Sequence, residues 1–199
     1  MDAAKNGRTP VKRVLLAGAT GYIGRFVARE LVRRDYEVVT IVRETAAGKT
    51  AQNVEELRAQ LPGCDVRVAS ITDPAQLAAA LEGVTIDAAV SCIASRNGAP
   101  EDARRVDYEA NRNLLDAARR GGAKQVVLLS AICVQRPLLA FQHAKLAFEA
   151  MLMESGLTYS IVRPTAFFKS LAGQIDRVQA GRPFLVFGDG RATACKPIS

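Results

Sequence analysis

The sequence predicts an α/β fold: one domain built on a doubly wound parallel sheet. Three observations predict it. Short β-branched apolar runs alternate with longer stretches of helical spacing along most of the chain, and parallel neighbours require such crossovers. The run at 86–93 is almost wholly apolar, as a strand buried on both faces of a parallel sheet must be. A glycine-rich turn, Gly18-Ala19-Thr20-Gly21-Tyr22-Ile23-Gly24, joins the first apolar run to the first helical stretch.

The elements follow in order. Residues 11–17 form an apolar strand interrupted only by Lys12 and Arg13, and Ile23, Val27 and Leu31 then share one helix face. The second strand is 37–42, followed by a helix near 54–61 that stops at Pro62-Gly63. Residues 65–69 make the third strand. Residues 74–81 make a helix with Pro74 in its first turn, where a missing N–H is tolerated. The fourth strand, 86–93, leads into a long helix of about 102–120 that ends at Gly121-Gly122. Strand 125–130, helix 139–155 closed by Gly156, and strand 158–162 complete a six-stranded doubly wound order. Beyond Pro164 the pattern calls for a helix near 168–180 and a short strand near 184–187. Residues 1–10 read as a disordered arm, and 11–199 as one domain whose part 163–199 begins a substrate-binding region. The closing Cys195-Lys196-Pro197-Ile198-Ser199 reads like the start of another helix, the mark of a truncated sequence.

Composition excludes several classes. A chain of 199 residues fits one domain with a sizeable core, and 49% hydrophobic with 24% charged residues argues against disorder and fibrous repeats. Apolar runs such as 88–94 and 126–129 fall well short of the ~20 residues of a membrane span. The first ten residues lack a signal peptide's apolar stretch, so the expected location is cytoplasmic. Cys64, Cys92, Cys133 and Cys195 show no zinc or redox spacing and read as reduced, core-filling residues. With His143 the one histidine, a metal site has little to draw on, and none is expected. The net charge of +7 is scattered along helices, as at Arg25, Arg29, Arg33 and Arg34 or Arg104, Arg105, Arg112, Arg119 and Arg120. No aromatic stacking motif interleaves with it, which speaks against nucleic acid. The excess suits an anionic cofactor or substrate and leaves room for peripheral association with a membrane surface.

The glycine motif carries the chemistry. In a strand–turn–helix context, Gly18 permits the tight turn, Gly21 lets the backbone approach a pyrophosphate, and Gly24 lets helix and strand pack closely. The phosphates then meet the free N–H groups of the helix N-terminus. This is the dinucleotide-binding Rossmann pattern, and Thr20, Tyr22 and Ile23 belong to the same turn. At the end of the second strand an NAD enzyme places an acidic residue; here the strand runs into Arg43, whose guanidinium suits a 2′-phosphate. Glu44 follows, so NADP is favoured and NAD stays open. Asp73 is placed to accept from the adenine amino group, to cap the helix that Pro74 opens, or both. Ala94 and Ser95, past the fourth strand, are expected to line the adenosine and ribose.

The Gly-x-x-Gly-x-x-Gly spacing resembles the extended and atypical short-chain dehydrogenase/reductases. That superfamily carries a Tyr-x-x-x-Lys pair after the fifth strand, where the tyrosine donates a proton and the lysine holds the nicotinamide ribose. This chain has Phe141-Gln142-His143-Ala144-Lys145 there: the lysine is kept and the proton donor is not. Longer strings narrow the resemblance. Ser91-Cys92-Ile93-Ala94-Ser95-Arg96, Asp107-Tyr108-Glu109-Ala110-Asn111-Arg112-Asn113, Leu129-Ser130-Ala131-Ile132-Cys133-Val134-Gln135, the stretch from Tyr159 through Arg163-Pro164 to Leu171, and Phe187-Gly188-Asp189-Gly190 resemble the divinyl chlorophyllide 8-vinyl reductase family. The resemblance runs from Val14 to Ser199. It implies NADPH-dependent reduction of the 8-vinyl group of divinyl chlorophyllide or protochlorophyllide to ethyl, a step of chlorophyll or bacteriochlorophyll synthesis. It also implies Lys145 as the catalytic residue, Ser130 and Pro164 as further cofactor contacts, a tetrapyrrole as substrate, and no obligate protein partner. Two other readings stay open: an isoflavone-reductase-like reductase of another conjugated double bond, and a non-catalytic dinucleotide sensor.

Overall fold

A computed structural model describes residues 12–43, 54–185 and 189. All of the expected arm 1–10, Glu44, Phe187 and Gly188, and the residues after 189 lie outside them. Six parallel strands form one sheet in the order β3-β2-β1-β4-β5-β6. They are β1 (Arg13–Ala17), β2 (Glu37–Val42), β3 (Cys64–Val68), β4 (Ala88–Ser91), β5 (Gln125–Leu129) and β6 (Thr158–Val162). In register, Leu15 of β1 lies between Val39 of β2 and Ala89 of β4. Strand order thus reverses at β1 and β4, where open α/β sheets bind ligands beyond the strands' carboxyl ends.

Helices α1 (Gly24–Arg33), α2 (Val54–Gln60) and α3 (Pro74–Ala80) follow the first three strands. Two apolar layers cover the sheet. One packs Leu15, Leu77, Leu114, Leu128, Phe148 and Leu152 together. The other gathers Leu16, Ala28, Val38, Leu57 and Leu61. Each fully buried leucine, valine or phenylalanine among them contributes roughly 1.5–3 kcal/mol.

Four expectations are corrected. The long helix near 102–120 has three parts: α4 (Pro100–Ala103), a π-helical stretch (Arg104–Ala110) and α5 (Asn111–Arg120). The wider turn is satisfied locally, because the Asn111 side-chain amide donates to the carbonyls of Val106 and Asp107 at 3.3 and 3.0 Å. Second, the helix near 168–180 splits into α7 (Phe168–Ala172) and α8 (Ile175–Gln179). Gly173 lies between them, and Ile175 and Val178 are exposed, so no packed face overrides the weak helix propensity of glycine. Third, Cys133 is exposed in a single-turn helix (Ile132–Gln135) rather than in the core. Cys64 and Cys92 pack partly against the second apolar layer, and the three described thiols are free. The expected strand near 184–187 is not formed at 184 and 185, and 186 and 187 lie outside the described residues.

Helix α6 (Ala140–Met153) follows β5. Its start is held by Gln142, whose Oε1 accepts the backbone N–H groups of Leu138 and Leu139 at 2.7 and 2.9 Å. Part of the basic helix charge is paired in place: Arg33 and Arg34 share Glu30, Arg104 pairs with Glu109, and Arg105 with Asp102. Among the described residues, no helix is long and apolar enough to cross a membrane.

Candidate dinucleotide site

The glycine turn sits at the strand-order reversal, and its three glycines do different work. Gly18 has φ +83°, and a Cβ there would stand 2.7 Å from the Cys92 carbonyl oxygen at the end of β4. Gly24 meets the turn itself: a Cβ would lie 1.9 Å from the Gly18 oxygen, so the close approach is helix to turn as well as helix to strand. At Gly21 a Cβ would meet one atom alone, the Gly18 oxygen at 3.1 Å. Internal packing therefore demands glycine at 18 and 24, while the outer side of Gly21 is open.

Helix α1 adds the electrostatics. Its first turn holds no acidic residue, and its N-cap, Ile23, offers no side-chain acceptor. The backbone N–H groups of Arg25 and Phe26 donate to the Gly21 and Ile23 carbonyls, so those of Tyr22, Ile23 and Gly24, with the positive end of the helix dipole, are left for an external anion. Helix α3 is the contrast. Asp73 Oδ1 accepts from the backbone N–H groups of Ala75 and Gln76, and Oδ2 from the Gln76 side chain. Capping is the role the structure assigns to Asp73, with both carboxylate oxygens engaged.

A cleft of about 450 Å³ runs from this turn along the strand ends. Its walls include Gly18, Thr20, Gly21, Arg43 and Ala94 from the expected set. Thr72 lines it where Asp73 was expected. Sequence reading missed Arg96 and Arg105, which join Arg43 on its walls, three arginines against the one carboxylate of Asp102. Asp102 supports them, accepting the Arg96 backbone N–H at 3.0 Å and pairing with Arg105 at 3.4 Å. Tyr22 turns away to stack edge-on with Phe26 and Phe167, with the Lys169 ammonium 4.8 Å from its ring centre.

Ser95, Ser130, Lys145 and Pro164 do not line this cleft. Ser130 follows β5; its backbone N–H bonds the Val162 carbonyl at 2.7 Å, while its hydroxyl is buried without a partner among the described residues. An orphaned buried hydroxyl is costly unless a ligand or water completes it. The Pro164 carbonyl accepts from Ile132 at 3.0 Å and fixes the loop after β6. Phe141 packs under the loop after β4, where a Cβ on Gly98 would touch its ring at 3.3 Å. Lys145 is buried rather than solvated, and its ammonium lies 3.1 Å from Asp107 Oδ1. The Asp107 N–H–accepting role is wider: both its oxygens lie 3.4 Å from the backbone nitrogen of Ser95. Burial pushes the Cys92 thiol up to about 11, against the opposing pull of the nearby Lys145 charge.

These features fit a dinucleotide. The open face at Gly21, the uncapped helix, the cationic cleft and the orphaned Ser130 hydroxyl each lack a partner that such a cofactor would supply.

Comparison with known proteins agrees. Residues 18–191 match the family model described as NAD(P)H-binding. The chain is 52% identical over 193 residues to the divinyl chlorophyllide a 8-vinyl-reductase of Cucumis sativus, covering 94% of this chain and 46% of that protein. It is 50% identical over 194 residues to the protein of the same name from Arabidopsis thaliana, again covering 94% and 46%. The chain thus spans about half the length of the curated relatives it matches. The Bordetella bronchiseptica enzyme WbmG, solved in complex with NAD, superposes with a TM-score of 0.69 at 21% identity, covering 89% of this chain and 62% of that one. The resemblance read from the sequence is borne out, and so is the doubly wound Rossmann fold.

Proposed function

Because the chain belongs to the NAD(P)H-binding family, we propose that it uses NADPH to reduce the 8-vinyl group of divinyl chlorophyllide or protochlorophyllide to ethyl. One observation carries the reading: half of its residues are identical, over 94% of its length, to proteins named for that reaction.

In this reading NADPH, when bound, supplies the hydride. Gly18, Thr20, Gly21 and the backbone of Tyr22, Ile23 and Gly24 hold the pyrophosphate. Arg43 takes the 2′-phosphate, with Arg96 and Arg105 adding charge to the same cleft. Ala94 and Ser95 face the adenosine and ribose, and Asp73 stays near the adenine chiefly as the cap of α3. Ser130, Lys145 and Pro164 surround the nicotinamide end. A vinyl group conjugated to a macrocycle accepts hydride at its terminal carbon, and charge spreads into the ring. The proton that follows goes to carbon rather than to a carbonyl oxygen, which is compatible with Phe141 in place of an acid. Lys145 orders the proton-carrying water, and Phe141 keeps that end of the site apolar.

Residues 163–199 begin the substrate-binding part. The plant relatives are named chloroplastic; we place the reaction in the compartment that makes the pigment, the chloroplast in a plant or the cytoplasm in a bacterium. The test incubates the chain, and a longer polypeptide containing it, with divinyl chlorophyllide and NADPH. The expected product is two hydrogens heavier and absorbs at shorter wavelength, with NADH far less effective. NADPH binding with no product from either polypeptide would leave a dinucleotide-binding protein without this activity.

A further inference from the structure

We propose that Asp107 is a positioning residue: one buried carboxylate that sets Lys145 and the loop after β4 together for the nicotinamide half of the cofactor. The proposal rests on the reading above that the site binds NADPH.

Asp107 lies in the π-helical stretch with its side chain fully buried, and Lys145 approaches it from α6 with a side chain 7% exposed. A buried ion pair is weak support for folding, since desolvating both charges offsets much of their attraction. Replacing such a pair by apolar residues of similar volume is often neutral or stabilising, so burial alone does not explain it. Its geometry supplies a role. Asp107 Oδ1 takes the Lys145 ammonium at 3.1 Å, and both oxygens face the Ser95 backbone N–H at 3.4 Å. One side chain therefore joins two elements expected at the cofactor ribose. An ammonium has three N–H donors and one carboxylate contact engages one of them, so the pair leaves donors for a second acceptor.

The mounting of Asp107 is itself elaborate. Asn111 donates to the backbone carbonyls of Val106 and Asp107 and accepts the buried hydroxyl of Ser91 on β4. The π-helical turn is thus tied to the sheet at the point where its carboxylate meets Lys145, and such turns recur at functional sites. The other charged or titratable groups near Lys145 are committed elsewhere. Cys92 stays a thiol through burial, and Glu149, one turn along α6, is held by Arg163. Asp107 is left as the acidic partner of this lysine.

The test uses two ligands on the chain as it stands: NADPH, and 2′,5′-ADP, which lacks the nicotinamide mononucleotide half. Asp107→Asn is expected to weaken NADPH at least tenfold and to leave 2′,5′-ADP within twofold. In a Lys145→Met background the same replacement should change NADPH affinity less than twofold, because asparagine keeps an acceptor oxygen for the Ser95 N–H and the lost charge acts through the lysine. Lys145→Met alone, which needs no change at Asp107, should show the same split between ligands. Equal losses for both ligands, or an undiminished Asp107→Asn effect in the Lys145→Met background, would make Asp107 a structural residue and overturn the proposal. So would Lys145→Met with unchanged NADPH affinity. An unmodified chain that binds neither ligand would overturn the NADPH reading itself, and this inference with it.

Discussion

Arg163 grips the fully buried carboxylate of Glu149 with two donors, Nε at 3.1 Å and Nη2 in closer contact. The pair ties the residue after β6 to the middle of α6. It thereby fixes the Arg163-Pro164 loop beside the helix that carries Lys145. Removing one partner leaves a buried charge alone. Arg163→Ala is expected to cost about 3–5 kcal/mol in urea unfolding, whereas the double replacement Glu149→Leu, Arg163→Met should recover most of it. A single-variant loss below 1 kcal/mol would show that water reaches Glu149.

The glycines of the turn should separate by experiment. Gly21→Val is expected to abolish NADPH binding while costing less stability than a side chain at Gly24, since its Cβ meets only the Gly18 oxygen, at 3.1 Å. Gly24→Ala should instead lose about 1–3 kcal/mol of stability, because its Cβ collides with the Gly18 carbonyl. Unchanged NADPH affinity in Gly21→Val would move the pyrophosphate elsewhere.

Cofactor choice turns on the cationic end of the cleft. Arg43→Ala should weaken NADPH by about 1–3 kcal/mol and leave NADH nearly unchanged, the scale of one charge-assisted contact. Arg96 and Arg105 share those walls, so a larger loss is expected when one of them is replaced as well. Parallel losses for NADPH and NADH in Arg43→Ala would remove the 2′-phosphate from its reach.

Thiol chemistry offers a probe with a defined pH sign. Thiolate is the reactive form, and burial raises Cys92 from 9.0 to about 11. Near pH 8 alkylation mapped by mass spectrometry should mark exposed Cys133 well before Cys92, and NADPH should protect Cys92 further because it lines the cleft. A raised folded-state value means that the stability contribution is fully present below pH 9 and is lost as pH rises toward 11. Cys92→Ser should flatten that alkaline loss. Equal labelling rates for the two thiols would show that Cys92 is reached by solvent.

Much of this molecule is local pattern, and local pattern is legible without coordinates. Apolar periodicity alone placed 37–42 and 158–162 at the observed strands β2 and β6, and the Gly18–Gly24 spacing marked the dinucleotide turn before any contact was known. Strand ends at β4 and the break at Gly173 were less legible, because they depend on which faces find a partner. The nicotinamide end of the site was not local at all. Whether Lys145 is solvated or buried depends on how α6 packs against the π-helical stretch, and nothing near Lys145 in sequence names Asp107 as its partner. The same holds for Asp73, whose capping of α3 shows only in the hydrogen bonds its carboxylate makes. A strand or turn is dictated by neighbours along the chain; an ion pair is dictated by neighbours across the core, and only the packed tertiary structure brings those together.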